Sequence, residues 1–419
     1  MKKAYDTYKD SGIEWIGEIP SHWKIIRFVH THNGTNVGEA IDKTYWSNNI
    51  EDNIFYTAGL EPIRTNYDRF PDWKITRHND LLMSRNGTPY VYLPYENAYY
   101  TDHVIRAQLK NGFDKRYVRF ALQRSISQEI VDSVSLATWS AQIWNNQQIP
   151  YPPFVEQKAI AEFLDNKCGK IDSLVAELES QVADLEVLKK SEISHVVTKG
   201  LKPEFPLKDT GIEWIGKVPE HWKYLKISWI FNIIGSGTTP KSDDPTMYSD
   251  DGFYWLQTGD LNDGYVNNTT KRITEKALSI SSLTIYPKGS LVIALYGATI
   301  GKLGIMNVDF TTNQACCVLN DSKKMYNKYA FYVLLASKQA FLLKSGGGGQ
   351  PNISQDIVRR HIIPCPMLSE QQEIVAYLDA YCEKVDAIVR ELHVQIKDLK
   401  LYKQSLISEA VTGKIKIID

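Results

Sequence analysis

Gly297-Ala298-Thr299-Ile300-Gly301-Lys302-Leu303 looks like a loop that could cradle a nucleotide phosphate. Its spacing argues otherwise. Three residues separate the glycines, and leucine follows the lysine. A phosphate loop needs four residues there, and a hydroxyl after the lysine to hold magnesium. Ser345-Gly346-Gly347-Gly348-Gly349-Gln350 lacks a following Lys-Ser or Lys-Thr and reads as a flexible loop.

Other chemistry-bearing residues are equally quiet. Tyr151-Pro152-Pro153-Phe154 has the form of a Pro-Pro-aromatic grip on a flipped base, but no glycine-rich nucleotide turn lies upstream and it sits at a helix entry. His22 and His221 recur inside a Pro-x-His-Trp element and read as packing or turn residues. Cys168, Cys316, Cys317, Cys365 and Cys382 form no Cys-x-x-Cys pair and have no histidine cluster, so neither a zinc site nor a disulfide framework is expected. No Ser/His/Asp set or metal-spaced carboxylate cluster stands out. The chain reads as a binder.

What positions a binding surface here is repeated. Asp10-Ser11-Gly12-Ile13-Glu14-Trp15-Ile16-Gly17-Glu18-Ile19-Pro20-Ser21-His22-Trp23-Lys24 returns, offset by 199, as Asp209-Thr210-Gly211-Ile212-Glu213-Trp214-Ile215-Gly216-Lys217-Val218-Pro219-Glu220-His221-Trp222-Lys223. The block Glu156 to Leu201 returns without a gap as Glu370 to Ile415, offset by 214. The intervening stretches, 25–149 and 224–363, are far less alike. A repeated scaffold that carries two different units suits a two-part target. Trp15, Trp23, Trp214 and Trp222 are expected to anchor each leading segment to the scaffold.

The second repeated block reads as a helix. Leu164, Cys168, Ile171, Val175, Leu178, Val182 and Leu185 alternate steps of four and three. That is the seam of a coiled coil. The second copy keeps every position, as Leu378, Cys382, Val385, Val389, Leu392, Ile396 and Leu399. Prolines precede each helix, and Thr198-Lys199-Gly200 and Thr412-Gly413-Lys414 fit the ends. The nearest partner for each seam is the other copy, packed antiparallel; the alternative is that each helix packs on its own domain. The resulting boundaries are 1–155, 156–201, 202–369 and 370–419.

The variable units read as mixed α/β, giving an α+β fold class with an internal repeat. Leu291–Tyr296 and Ala315–Leu319 read as buried strands, Arg116–Ile130 and Tyr329–Phe341 as helices. Gly235-Ser236-Gly237, Asp250-Asp251-Gly252 and Asn262-Asp263-Gly264 mark turns. Gly87 after Leu81 matches Gly297 after Leu291, and Gly59-Leu60-Glu61 falls where Gly259-Asp260-Leu261 falls. One fold with two surfaces is expected. Net charge is −1, yet it is unevenly spread. Residues 223–369 carry a net of +5, residues 25–149 are neutral, and the helical blocks 156–201 and 370–419 carry −3 and −2. A nucleic-acid partner would meet the variable units. No run of ~18 apolar residues suggests a membrane span, and the N-terminus does not read as a signal peptide, so a cytoplasmic protein is expected.

Together these motifs resemble a known family. Gly-Ile-Glu-Trp-Ile-Gly-x-x-Pro-x-His-Trp is similar to the leading element of the specificity subunit of type I restriction–modification systems. So are Ile363-Pro364-Cys365-Pro366-Met367-Leu368-Ser369-Glu370-Gln371-Gln372-Glu373-Ile374, Tyr296–Lys302 and Thr312-Asn313-Gln314. The resemblance covers the whole chain. It implies two target-recognition domains that each read half of a bipartite double-stranded DNA site. It implies two conserved helices in an antiparallel coiled coil, which fix the half-site separation and dock two modification subunits. S-adenosylmethionine would belong to those subunits, and ATP and magnesium to restriction subunits. No catalytic residue, cofactor or metal is expected in this chain. In the first unit, Arg85, Asn86 and Thr88 have the chemistry of base readers, because arginine reads guanine and asparagine reads adenine. Tyr296, Thr299, Lys302, Asn313 and Gln314 are the counterparts. Where the second unit has Gln350-Pro351-Asn352-Ile353-Ser354, the first is aligned as Ser140-Ala141-Gln142-Ile143-Trp144-Asn145-Asn146. Two other readings stay open: a coiled-coil adapter that touches no DNA, and a stand-alone DNA methyltransferase.

Overall fold

The computed structural model describes residues 4–129, 138–281, 283–343 and 352–418. By compactness the chain divides into two units, Met1–Glu179 with His393–Asp419, and Ser180–Leu392.

In the first unit, runs of apolar residues make a buried antiparallel sheet. Its strands are ordered His32–Val37, Val104–Leu109, Asp80–Ser84, Val91–Tyr92. Helix α1 (Lys115–Glu129) covers it with the fully buried Val118, Ala121 and Leu122. A short helix α2 (Ala141–Asn146) follows, capped by the Ser140 hydroxyl, which accepts from the Ile143 amide. A second sheet orders Tyr99–Tyr100, Asn53–Tyr56, Ile63–Thr65 and Trp46–Ser47. The unit begins and ends in one strand pair, with Ile25 opposite Pro150 and Ile26 opposite Ile149. Helix α3 (Phe154–Lys199) leaves from there.

The second unit rebuilds this plan with other residues. Ile233–Gly235, Cys316–Asn320, Leu291–Ala294 and Leu303–Met306 take the same order and directions, and Gly264–Val266 adds a parallel edge. A smaller sheet joins Lys271–Ile273, Tyr248–Leu256 and Phe310–Thr312, with helix α4 (Glu275–Ile280) beside it. Helix α5 (Asn327–Ala336) corresponds to α1. The neck recurs, with Tyr224 opposite Pro364 and Leu225 opposite Ile363. The expectation of one fold with two surfaces holds.

Three sequence expectations change. Tyr329–Phe341 is not one helix: α5 stops at Ala336, and α6 (Lys338–Leu343) restarts after Ser337. The Ser337 hydroxyl donates to the Leu334 carbonyl at 3.3 Å, a local bond that competes with helix continuation. The new direction lays the buried Phe341 ring 4.0 Å from His361. Asp250-Asp251-Gly252 is no turn between elements but lies inside the strand Tyr248–Leu256. Tyr248 and Phe253 both pair with Ile273, so the acidic residues between them are looped out as a bulge. Finally, helix α7 (Gln355–Arg360) is capped by Ser354 as α2 is by Ser140. Ser140 therefore corresponds to Ser354, and the counterpart of Asn352 is Thr138, not a residue of Ser140–Asn146. Ile130 and the glycine-rich stretch Ser345–Gln350 lie outside the described residues.

The long helices α3 and α8 (Leu368–Val411) span 46 and 44 residues. They pack together within each unit. In the first unit Asp172 meets Lys403 at 2.6 Å and Glu179 meets Lys400 at 2.9 Å. In the second, Asp386 meets Lys189 at 2.6 Å, and the Tyr377 hydroxyl donates to Glu192 at 2.7 Å. Residue numbers fall along one helix as they rise along the other, so the segments run antiparallel. Asp172 and Asp386 are repeat equivalents, as are Lys403 and Lys189: one ion pair is made twice. Along α3, Leu164, Cys168, Ile171, Val175 and Leu178 are buried, and along α8, Leu378, Cys382, Val385, Leu392 and Ile396; Leu378 and Cys382 join the core of the second unit. Val182, Leu185, Val389 and Leu399 are half-buried.

Each leading segment locks the first turn of a long helix. Trp23 is fully buried and donates to Glu156 at 3.0 Å; Trp222 is fully buried and donates to Glu370 at 2.9 Å. His22 and His221 bond the same carboxylates at 2.7 and 3.1 Å. The Trp23 segment also meets the end of α8. There Gly413 ends the helix at φ +73°, and a Cβ on it would lie 2.4 Å from Pro20. Gly413→Ala is therefore expected to destabilise the protein by about 1–2 kcal/mol from the left-handed backbone alone, and more from the clash. Gly12→Ala at φ +71° meets no atom within 4 Å and should cost only the backbone term. Equal urea-unfolding midpoints for the two variants would contradict this account of the contact.

Candidate nucleic-acid interface

A tight turn needs a residue that tolerates positive φ, and one hairpin of each unit supplies it at the same place. Gly87 lies three residues beyond the strand Asp80–Ser84 at φ +74°; Gly297 lies three beyond Leu291–Ala294 at φ +84°. The tips thus superpose as elements while their side chains differ. The second tip runs from one strand to its antiparallel neighbour, with Ala294 N–H donating to the Lys302 carbonyl at 2.8 Å. A phosphate loop would feed a helix instead, so this glycine pattern serves a hairpin.

In the first unit the tip carries exposed Arg85 and Thr88 and half-buried Asn86. Two tryptophans staple its backbone. Trp139 donates its indole N–H to the Gly87 carbonyl at 2.7 Å, and Trp144 donates to the Ser84 carbonyl at 3.1 Å. Thr138 bridges Asn86, as Asn352 bridges Tyr296 in the second unit. The strand pairing Ser84–Val104 brings Asp102 and His103 beside the tip. Asn86 Nδ2 lies 2.6 Å from His103 Nδ1, and Arg85 Nη1 lies 3.4 Å from the Asp102 carbonyl.

In the second unit Tyr296, Thr299 and Lys302 are half-buried on the tip. The pairing Ala294–Cys316 brings Asn313 and Gln314 alongside. Asn313 Oδ1 accepts from the Ala315 amide at 3.0 Å, so this side chain also shapes its own turn. Gln314 is exposed, and Thr239 Oγ1 donates to its Oε1 at 2.8 Å. Each sequence-selected group is thus brought together within its unit. The sequence reading missed Asp102 and His103. They precede the strand Val104–Leu109 as Asn313-Gln314 precede Cys316–Asn320, and that shared position was the available signal.

Among the described residues no group of three or more His, Cys, Asp or Glu could hold a metal ion. All five cysteines are buried, and burial pushes the Cys316 and Cys317 thiols up to about 12, away from nucleophilic use. Tyr151 ends a strand and Phe154 begins α3, so Tyr-Pro-Pro-Phe is a strand-to-helix joint. No helix is long and apolar enough to cross a membrane among the described residues.

Residues 219–398 match the family described as the type I restriction modification DNA specificity domain. The EcoBI specificity subunit of Escherichia coli is 24% identical over 73% of this chain and 67% of its own length. The MjaVIII specificity subunit of Methanocaldococcus jannaschii is 24% identical over 82% of this chain and 80% of its own length. The chain is thus similar to type I specificity subunits over most of its length. The fold agrees. A structure described as the basis of complex assembly and conformational transition of the type I R-M system aligns with a TM-score of 0.71, at 16% identity. It covers 94% of this chain and 98% of that one. The HsdS subunit from Thermoanaerobacter tengcongensis aligns with a TM-score of 0.50 at 18% identity, covering 95% of this chain and 98% of that one. These similarities favour DNA target recognition over both the adapter and the stand-alone methyltransferase.

Proposed function

We propose that the two units each read one half of a bipartite double-stranded DNA target through their hairpin tips. One observation carries this reading: the same backbone tip occurs twice, at equivalent places, with different polar side chains. A reader of two unlike half-sites needs that combination. In the first unit Arg85, Asn86 and Thr88 meet the bases; in the second Tyr296, Thr299, Lys302, Asn313 and Gln314 do. The positive charge of the second unit supports contact with phosphates.

The acidic long helices face protein partners instead, two modification subunits and then restriction subunits. Those partners supply S-adenosylmethionine, ATP and magnesium, and they perform the chemistry. The chain itself works in the cytoplasm without catalysing a step. The test is a pair of substitutions read by sequencing methylated sites. Arg85→Ala is expected to relax one base pair of one half-site, with a loss of about 1–3 kcal/mol in discrimination. Gln314→Ala is expected to act on the other half-site only. Unaltered half-sites in both variants would refute the assignment of the tips.

A further inference from the structure

The first tip holds a pair that the base-reading assignment does not explain. Asn86 Nδ2 sits 2.6 Å from His103 Nδ1. Both groups are at the surface, with 56% of the His103 side chain exposed, so neither is there to fill a core. The backbone around them is fixed. Arg85 N–H donates to the His103 carbonyl at 2.8 Å, and Trp139 N–H donates to the Arg85 carbonyl at 2.6 Å. The two side chains are therefore held against each other.

A nitrogen–nitrogen contact has a direction. Asn86 Nδ2 is a donor, so His103 Nδ1 must be the acceptor, and the ring proton then sits on Nε2. The Asp102 carboxylate lies 4.0 Å from Nε2. It favours a proton on that nitrogen. In turn it is oriented by Thr101, whose hydroxyl donates to Asp102 Oδ1 at 2.8 Å. The chain Thr101–Asp102–His103–Asn86 thus favours the carboxamide facing with Nδ2 toward the ring. One Nδ2–H is used. Oδ1 and the second Nδ2–H remain, one acceptor and one donor. That pair matches adenine in the major groove, where N6–H donates and N7 accepts. The other amide rotamer would reverse the pattern.

We propose that His103 is a specificity-positioning residue: it holds the Asn86 carboxamide in the one orientation that reads adenine. This rests on the reading in which the tip contacts bases. The second unit shows the contrast. There Gln314 is held through its oxygen by Thr239 at 2.8 Å, so its free N–H groups lead. The two units would then prefer different base edges.

The experiment uses the full chain in complex with its modification subunits, offered a library of duplexes with randomised half-sites. Methylated products are sequenced for the parent chain, Asn86→Ala, His103→Leu and His103→Asn. Asparagine places its Oδ1 near the position of Nδ1 and can accept the same bond; leucine cannot. His103→Leu is expected to lower the preference for adenine at one position about three- to tenfold, as loss of one neutral hydrogen bond would, with other positions unchanged. His103→Asn is expected to restore it. If Asn86→Ala relaxes that position while His103→Leu leaves it intact, the positioning role is wrong although the tip still reads bases. If both histidine variants relax it equally, or weaken methylation uniformly at every position, His103 only packs and the proposal falls. If Asn86→Ala changes no position, the reading of the tip itself fails.

Discussion

A chain carrying Leu178→Asp and Leu392→Asp is expected to lose all assembly with modification subunits, and with it all methylation. The two leucines are repeat equivalents, 214 residues apart, and both are buried at seam positions of the long helices. Each aspartate would bring a carboxylate to a buried seam position that now holds an apolar side chain. Such burial costs several kcal/mol per site, or forces the helices apart. The control is Lys403→Ala, which removes the ion pair to Asp172. That pair is partly exposed, so its loss should cost about 0–1 kcal/mol and leave assembly intact. Co-purification and a methylation assay on the three chains decide. An active complex from the double aspartate chain would mean that the helices are not the scaffold.

The second large effect is an exchange of specificity. Replacing residues 25–149 by the corresponding unit of a relative is expected to change one half of the methylated site completely and leave the other untouched. The reason is local. The unit leaves and rejoins the scaffold through a single strand pair, with Ile25 opposite Pro150 and Ile26 opposite Ile149. Adjacent ends allow a domain to be exchanged with little strain on its surroundings. Residues 224–363 end in the same way, with Tyr224 opposite Pro364 and Leu225 opposite Ile363. A hybrid whose two half-sites both change would show that the units do not read independently.

Much of this fold was legible because it is local or repeated. The alternating steps of four and three from Leu164 to Leu185 announce a long helix with one apolar face. Gly200 and Gly413 announce its ends, and both take positive φ there. Trp23 and Trp222 recur beside histidine, and each is found fully buried against a glutamate of a long helix. What escaped the reading is non-local. Asp102 and His103 reach the tip through the pairing of Ser84 with Val104, which no spacing in the sequence announces. The Trp139 and Trp144 staples close loops of 52 and 60 residues. The two acidic residues before Gly252 have the composition of a turn, yet pairing on either side of them with Ile273 keeps them within a strand. Ser337 breaks a pattern that periodicity alone continues.

The most direct test of the central claim is the adenine methylation pattern in cells that carry this chain with its modification partner. Two recognition units with unlike tips predict a single motif of two unlike half-sites, separated by a spacer of fixed length and free sequence. The parent strain lacking the chain should show no such motif. A continuous motif without a spacer, or two half-sites identical in sequence, would contradict the assignment of one distinct reader to each unit.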